Sequence, residues 1–130
     1  MVSALKPGGW LLLEPDVVSL GSAACDPADT DAMVRTMVAI VQVHLAAEAD
    51  PYLARRLPAL LGELRLTDIA VEGSALISRG GSAHAQCLAL CVNKIQDKLL
   101  ETDRVSKAEV ERFLALMHAP DHWFNPPHHD

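Results

Sequence analysis

Two carboxylates, one histidine and two pairs of sulfur-bearing side chains are the residues of this chain whose types and spacing could do chemistry. Glu14 and Asp16 stand just past Trp10-Leu-Leu-Leu13, a short apolar run that follows the turn-forming Lys6-Pro-Gly-Gly9. Such a run is the pattern of a strand covered on both faces. Ligands of open α/β sheets collect where strands end at their carboxyl edge, so both acids fall where a pocket is expected. His44 lies on an otherwise apolar helical segment, where burial would tune it towards general-base use, although a helix-edge histidine bonded to backbone or water is the commoner outcome. Met33 and Met37, one turn apart on the same segment, are candidates to line a substrate cavity, against the alternative that they are ordinary core.

Cys87 and Cys91 are also one helical turn apart and could bind a soft metal together. No Cys-x-x-Cys pair or nearby histidine completes a four-ligand set, so buried free thiols are expected there and no metal centre is assigned. His118 and His122 share the i, i+4 spacing, but Pro120 breaks the helix that would align them. His128 and His129 belong to a terminal tail, where exposure is expected. Neither Gly8-Gly9 nor Gly80-Gly81 sits in a strand, G-x-G-x-x-G turn and helix, so neither reads as a cofactor fingerprint. There is no G-x-S-x-G nucleophile elbow.

The elements that must position these groups are two strands, about 10–14 and 68–78, and four to five helices. Asp26-Pro27 opens a helix to about Glu48 whose apolar stripe is too wide for one covering surface, which calls for burial between a sheet and a partner helix. Asp50-Pro51 and Leu57-Pro58 open two further short helical pieces, since proline is tolerated in a first turn and breaks an interior. Asp68 to Ser78 alternates Ile69 and Val71 with polar neighbours, and Gly73 marks a bulge or bend. After Gly80-Gly81, Ser82 caps a helix from Ala83 to about Glu101 with Leu88, Cys91, Val92, Ile95 and Leu99 on one stripe. Ser106-Lys-Ala-Glu109 has capping-box spacing and starts a last helix that stops before Pro120, burying Val110, Phe113, Leu114 and Met117.

Composition bounds the function. The chain has 130 residues, half of them hydrophobic and 22% charged, enough for a single domain and too few for two. A formal charge of −6 and the absence of a basic run argue against nucleic acid as a partner. No apolar stretch reaches the ~20 residues of a membrane span. Three cysteines and no leader-like N-terminus point to a reducing, cytoplasmic setting.

The Lys6-Pro-Gly-Gly9 turn and Trp10–Glu14 strand resemble the loop and strand of class I, Rossmann-like S-adenosylmethionine-dependent methyltransferases. The resemblance continues through Arg56-Leu-Pro-Ala-Leu-Leu-Gly-Glu-Leu64, Leu66-Thr-Asp-Ile-Ala-Val-Glu72, Arg79-Gly-Gly-Ser82 and Phe113 to Phe124. That order is similar to the C-terminal half of a small-molecule methyltransferase domain and covers nearly all of the chain. It implies a partial α/β fold that lacks the glycine-rich cofactor half and the final strand, the one that inserts antiparallel between the two strands matched here. No cofactor-binding residue maps onto the sequence. One departure from the family stands out: Arg65 replaces the glycine that ends the helix in a left-handed conformation, which calls for a different cap or a weakened junction.

Three functions follow as expectations. The first is a methyltransferase-family segment that alone neither binds S-adenosylmethionine nor transfers a methyl group. The second is half of a split enzyme completed by a complementing polypeptide, with Glu14, Asp16 or His44 on the substrate side and S-adenosylmethionine held by the other half. The third is a non-enzymatic interaction module whose unpaired strand edges drive homo-oligomerisation.

Overall fold

A computed structural model of the chain describes residues 2–13, 16–17, 26–72, 77–124 and 128–129. Among them the fold is mixed α/β, with five α-helices and two small antiparallel pairs of strands. Glu14, Cys25 and Gly73 lie outside the described residues.

The core is helical. Helix α1 (Pro27–Ala46) starts from Asp26, whose side chain accepts from the N–H groups of Ala28 at 2.7 Å and Asp29 at 3.3 Å. It buries Ala32, Met33, Thr36, Met37, Ala39 and Val41, and the Thr36 hydroxyl is satisfied by donating to the Ala32 carbonyl at 2.7 Å. Its covering surfaces are α4 (Gln96–Glu101) and α5 (Lys107–His118), and α5 in turn packs on α3 (Ala83–Lys94). Met33, Val92, Leu99, Val110, Phe113 and Met117 form the centre of this cluster. Ion pairs join the rims of α1 and α5: Arg112 with Asp29 and Asp26, and Arg35 with Glu109 at 3.1 Å. Exposed pairs of this kind add little stability but fix which edge of α5 meets α1.

Several boundaries differ from those expected. The two short pieces after Asp50 are one helix, α2 (Leu53–Glu63), with Pro58 inside it. Pro58 is only the sixth residue, so most N–H groups before it belong to the first turn, and the ring removes one helical bond rather than a run of them. Conversely, the helix expected from Ala83 to Glu101 breaks at Ile95, whose N–H is shared between the carbonyls of Cys91 and Val92. The buried face of α3 is Ala85, Ala89 and Val92, with Cys87 and Cys91 exposed. Two alanines let α3 sit close against its neighbours, and this rotates both thiols outward.

The strands differ most. Residues 10–13 form no strand, and Trp10 and Leu12 are 87% and 83% exposed. Asp68–Glu72 is likewise irregular, with Ile69 and Val71 exposed. A strand persists only where a neighbour accepts its backbone groups, and pairing occurs elsewhere. Ser78–Arg79 (β2) pairs antiparallel with Trp123–Phe124 (β3), Ser78 opposite Phe124, and the ladder continues into a 2.8 Å bond from the Gly80 N–H to the His122 carbonyl. Asp16–Val17 (β1) pairs antiparallel with His128–His129 (β4), Asp16 opposite His129. The segment after α5, expected to be a tail without a strand, therefore supplies an antiparallel partner to both earlier segments.

Candidate functional site

The Lys6-Pro-Gly-Gly9 turn forms as its composition requires. Gly9 donates to the Lys6 carbonyl at 2.8 Å and Gly8 adopts φ 76°, the left-handed position after proline in a type II turn. Beyond the apolar run, Asp16 opens β1, with His129 opposite in register.

The second glycine pair is committed to the fold. A Cβ at Gly80 would lie 2.0 Å from the Ala119 carbonyl oxygen and 2.7 Å from that of Leu116. Gly81 donates to the Met117 carbonyl at 2.8 Å. The Gly81 amide thus closes the C-terminal end of α5 and the Gly80 amide is taken by the His122 carbonyl, so neither is free to cradle a phosphate. Ser82 follows as the N-cap of α3, accepting from the Ala85 N–H.

The histidines separate into different settings. His44 lies in the last turn of α1, exposed, with Nδ1 2.8 Å from the Ile40 carbonyl oxygen. Residues 44–50 are all exposed because α1 runs on past the surface that α4 and α5 cover, so the burial expected to tune His44 is absent. His118 is exposed at the end of α5. His122, beyond the Pro120 turn, is half-buried and stacks on Phe124 with ring centroids 5.8 Å apart. Its Nε2 is buried without a hydrogen-bond partner. Burial pushes its pKa below the ordinary 6.5, and the Asp29 charge acts in the opposite direction. Sequence spacing had presented His122 only as half of a metal pair. The signal for its real setting was the Trp123-Phe124 pair that follows it.

Met33 and Met37 are buried in the helical core. A cleft of about 560 Å³ lies between the end of α1 and α4, and neither methionine lines it. Its wall mixes Lys98 and Arg104 with Glu101 and Gln42. Thr102, also on the wall, donates its hydroxyl to the Leu99 carbonyl at 2.6 Å and accepts from the Arg104 N–H. Cations beside the last turn of α1 complement its carbonyl end. The cleft thus reads as a charged groove, with no nucleophile beside a base. Among the described residues there is no cluster of three or more His, Cys, Asp or Glu side chains able to hold a metal ion. No described helix is long and apolar enough to cross a membrane.

The class these observations define is a mixed α/β domain with a helical core. No family model, curated protein or solved structure matches the chain.

Proposed function

We propose that these residues are the helical C-terminal half of a class I methyltransferase-type domain, and that by themselves they neither bind S-adenosylmethionine nor transfer a methyl group. The observation that carries this reading is the end of α2, where Arg65 has φ 61°, the left-handed conformation that the family gives to glycine at this point. The pairs that Trp123–Phe124 makes with β2 and His128–His129 makes with β1 are antiparallel but separate, and not one strand inserted between two.

The cofactor half, with its glycine-rich loop, would come from elsewhere, either on the same polypeptide or on another. Glu14 and Asp16 would then face the cofactor and substrate edge that the completed sheet creates. Isothermal titration of the 130-residue chain with S-adenosylmethionine should give no measurable heat of binding. Micromolar binding would overturn the proposal. If a separate cofactor half exists, it should co-purify with this chain.

A second reading, a homo-oligomeric interaction module, is favoured by one specific observation. Trp10, Leu12, Leu64, Val71 and Ile77 are all more than half exposed. Exposed apolar residues in such numbers tend to recruit another chain. Light scattering that shows a soluble monomer at high concentration would remove this reading.

A further inference from the structure

Cys87 and Cys91, expected to be buried thiols, are exposed. Both are reduced and open to solvent on the outer face of α3, a helix capped by Ser82 and anchored through Ala85, Ala89 and Val92. Residues four apart on a helix are neighbours, with Cβ atoms about 5–6 Å apart. A disulfide needs its Cβ atoms within roughly 3.5–4.5 Å, so helical spacing of the Cβ atoms disfavours a direct S–S bond. A linear S–metal–S unit is longer than an S–S bond and spans such a gap.

We propose that Cys87 and Cys91 form a two-thiolate site for a soft, two-coordinate cation of the Cu(I) class. Thiolate ligands select such ions, and among the described residues no third His, Cys, Asp or Glu joins the pair as tetrahedral Zn(II) would need. Lys94, close enough to act on the Cys91 sulfur, offsets the negative charge of a bis-thiolate complex. Binding forms two S–Cu bonds and releases one proton from each thiol to solvent, with no change of oxidation state. Affinity therefore rises with pH below the thiol range, by up to about 100-fold per unit for two protons.

The test is anaerobic titration of the reduced chain with Cu(I), added as its acetonitrile complex, against a chromogenic bicinchoninate competitor. One Cu(I) per chain is expected, with sulfur-to-copper charge-transfer absorption in the near ultraviolet. Cys87→Ser and Cys91→Ser should each weaken binding on the order of 100-fold by removing the chelate's effective concentration, whereas Cys25→Ser leaves it within about twofold. Cys87 and Cys91 are exposed, so far-ultraviolet circular dichroism should be unchanged in both α3 variants. A single α3 variant that keeps full affinity, an equal loss in Cys25→Ser, or one Cu(I) shared by two chains would overturn the proposal.

Discussion

Helices α2 and α5 are nearly equal in length, 11 and 12 residues, and each carries an apolar stripe, yet they end in opposite situations. Helix α5 buries Val110, Phe113 and Met117 completely, and its capping box is closed in both directions. Helix α2 buries no residue, starts at Tyr52 without a side-chain cap, contains Pro58 and stops at a left-handed arginine. Its Leu57, Leu60 and Leu61 are half-covered and Leu64 is exposed. An apolar stripe shows that a helix has a face to bury; what covers that face is decided by the rest of the fold. Here α1 and α3 converge on α5, while among the described elements α2 has its main contact with the short β1. Residues 47–72 contain no buried residue and are accordingly expected to open before the α1–α5 core.

The largest test of this contrast is a pair of truncations. Phe113→Ala removes a ring that is fully enclosed and should cost about 3–5 kcal/mol by urea denaturation. Leu60→Ala on α2 should cost under about 1 kcal/mol, since little transfer free energy is lost from a half-exposed site. A cost for Leu60→Ala close to that of Phe113→Ala would show that α2 is covered in solution, and the contrast would fail.

Gly80→Ala comes next. The new methyl would meet two backbone carbonyl oxygens at the end of α5, and backbone cannot rotate aside as a side chain can. A loss of about 2–3 kcal/mol is expected, with chemical shifts changing at β2, β3 and Ala119 and not in α2. Equal changes in α2 would mean that the two regions are coupled.

Ser106→Ala should cost about 1 kcal/mol by opening the capping box, and it should also alter the acid profile. The Ser106 backbone N–H foremost, then its hydroxyl, then Arg35, hold Glu109 below the ordinary 4.5. A depressed carboxylate stabilises fully above its unfolded pKa, and the contribution is lost as pH falls through the folded one. His122 acts in the same direction at higher pH. Half-buried, with its Nε2 enclosed, it binds its proton more readily when unfolded, so stability declines as pH drops below about 6.5. Thermal midpoints measured from pH 7 to 3 should fall in two stages. His122→Gln should flatten the first stage and Ser106→Ala the second.

How much of this was legible in the sequence follows the range of the interactions. The caps at Asp26, Ser82 and Ser106, the stop before Pro120 and the Pro7-Gly8 turn are local chemistry, and each stands where its residues place it. Trp10–Leu13 and Asp68–Glu72 could not be read in this way. Apolar alternation permits a strand, but only a partner completes one, and the pairing partners lie over 40 residues away in Trp123–Phe124 and His128–His129. The candidate site fared likewise. The turn before Glu14 was legible, whereas the exposure of His44 and of the two thiols depends on where α1 outruns its neighbours and on how α3 is rotated about Ala85 and Ala89.

The smallest expected effect is the sharpest probe of α2. Its end is a Schellman motif, in which Leu66 N–H reaches the Leu61 carbonyl at 3.2 Å and Arg65 N–H reaches that of Gly62 at 2.9 Å. The geometry that suits glycine is present with arginine at its centre, at a strain on the order of 1 kcal/mol. Helix α1 ends similarly at Glu48, φ 58°, with Ala49 bonded back to His44. Arg65→Gly relieves the strain but adds backbone freedom to the unfolded chain, so the net gain should be a few tenths to about 0.5 kcal/mol. That gain should appear as slower amide exchange in α2 with little change in the global midpoint, because α2 opens without the core. A midpoint rise matching the local gain would instead show that α2 unfolds together with α1 and α5, making the two regions one cooperative unit.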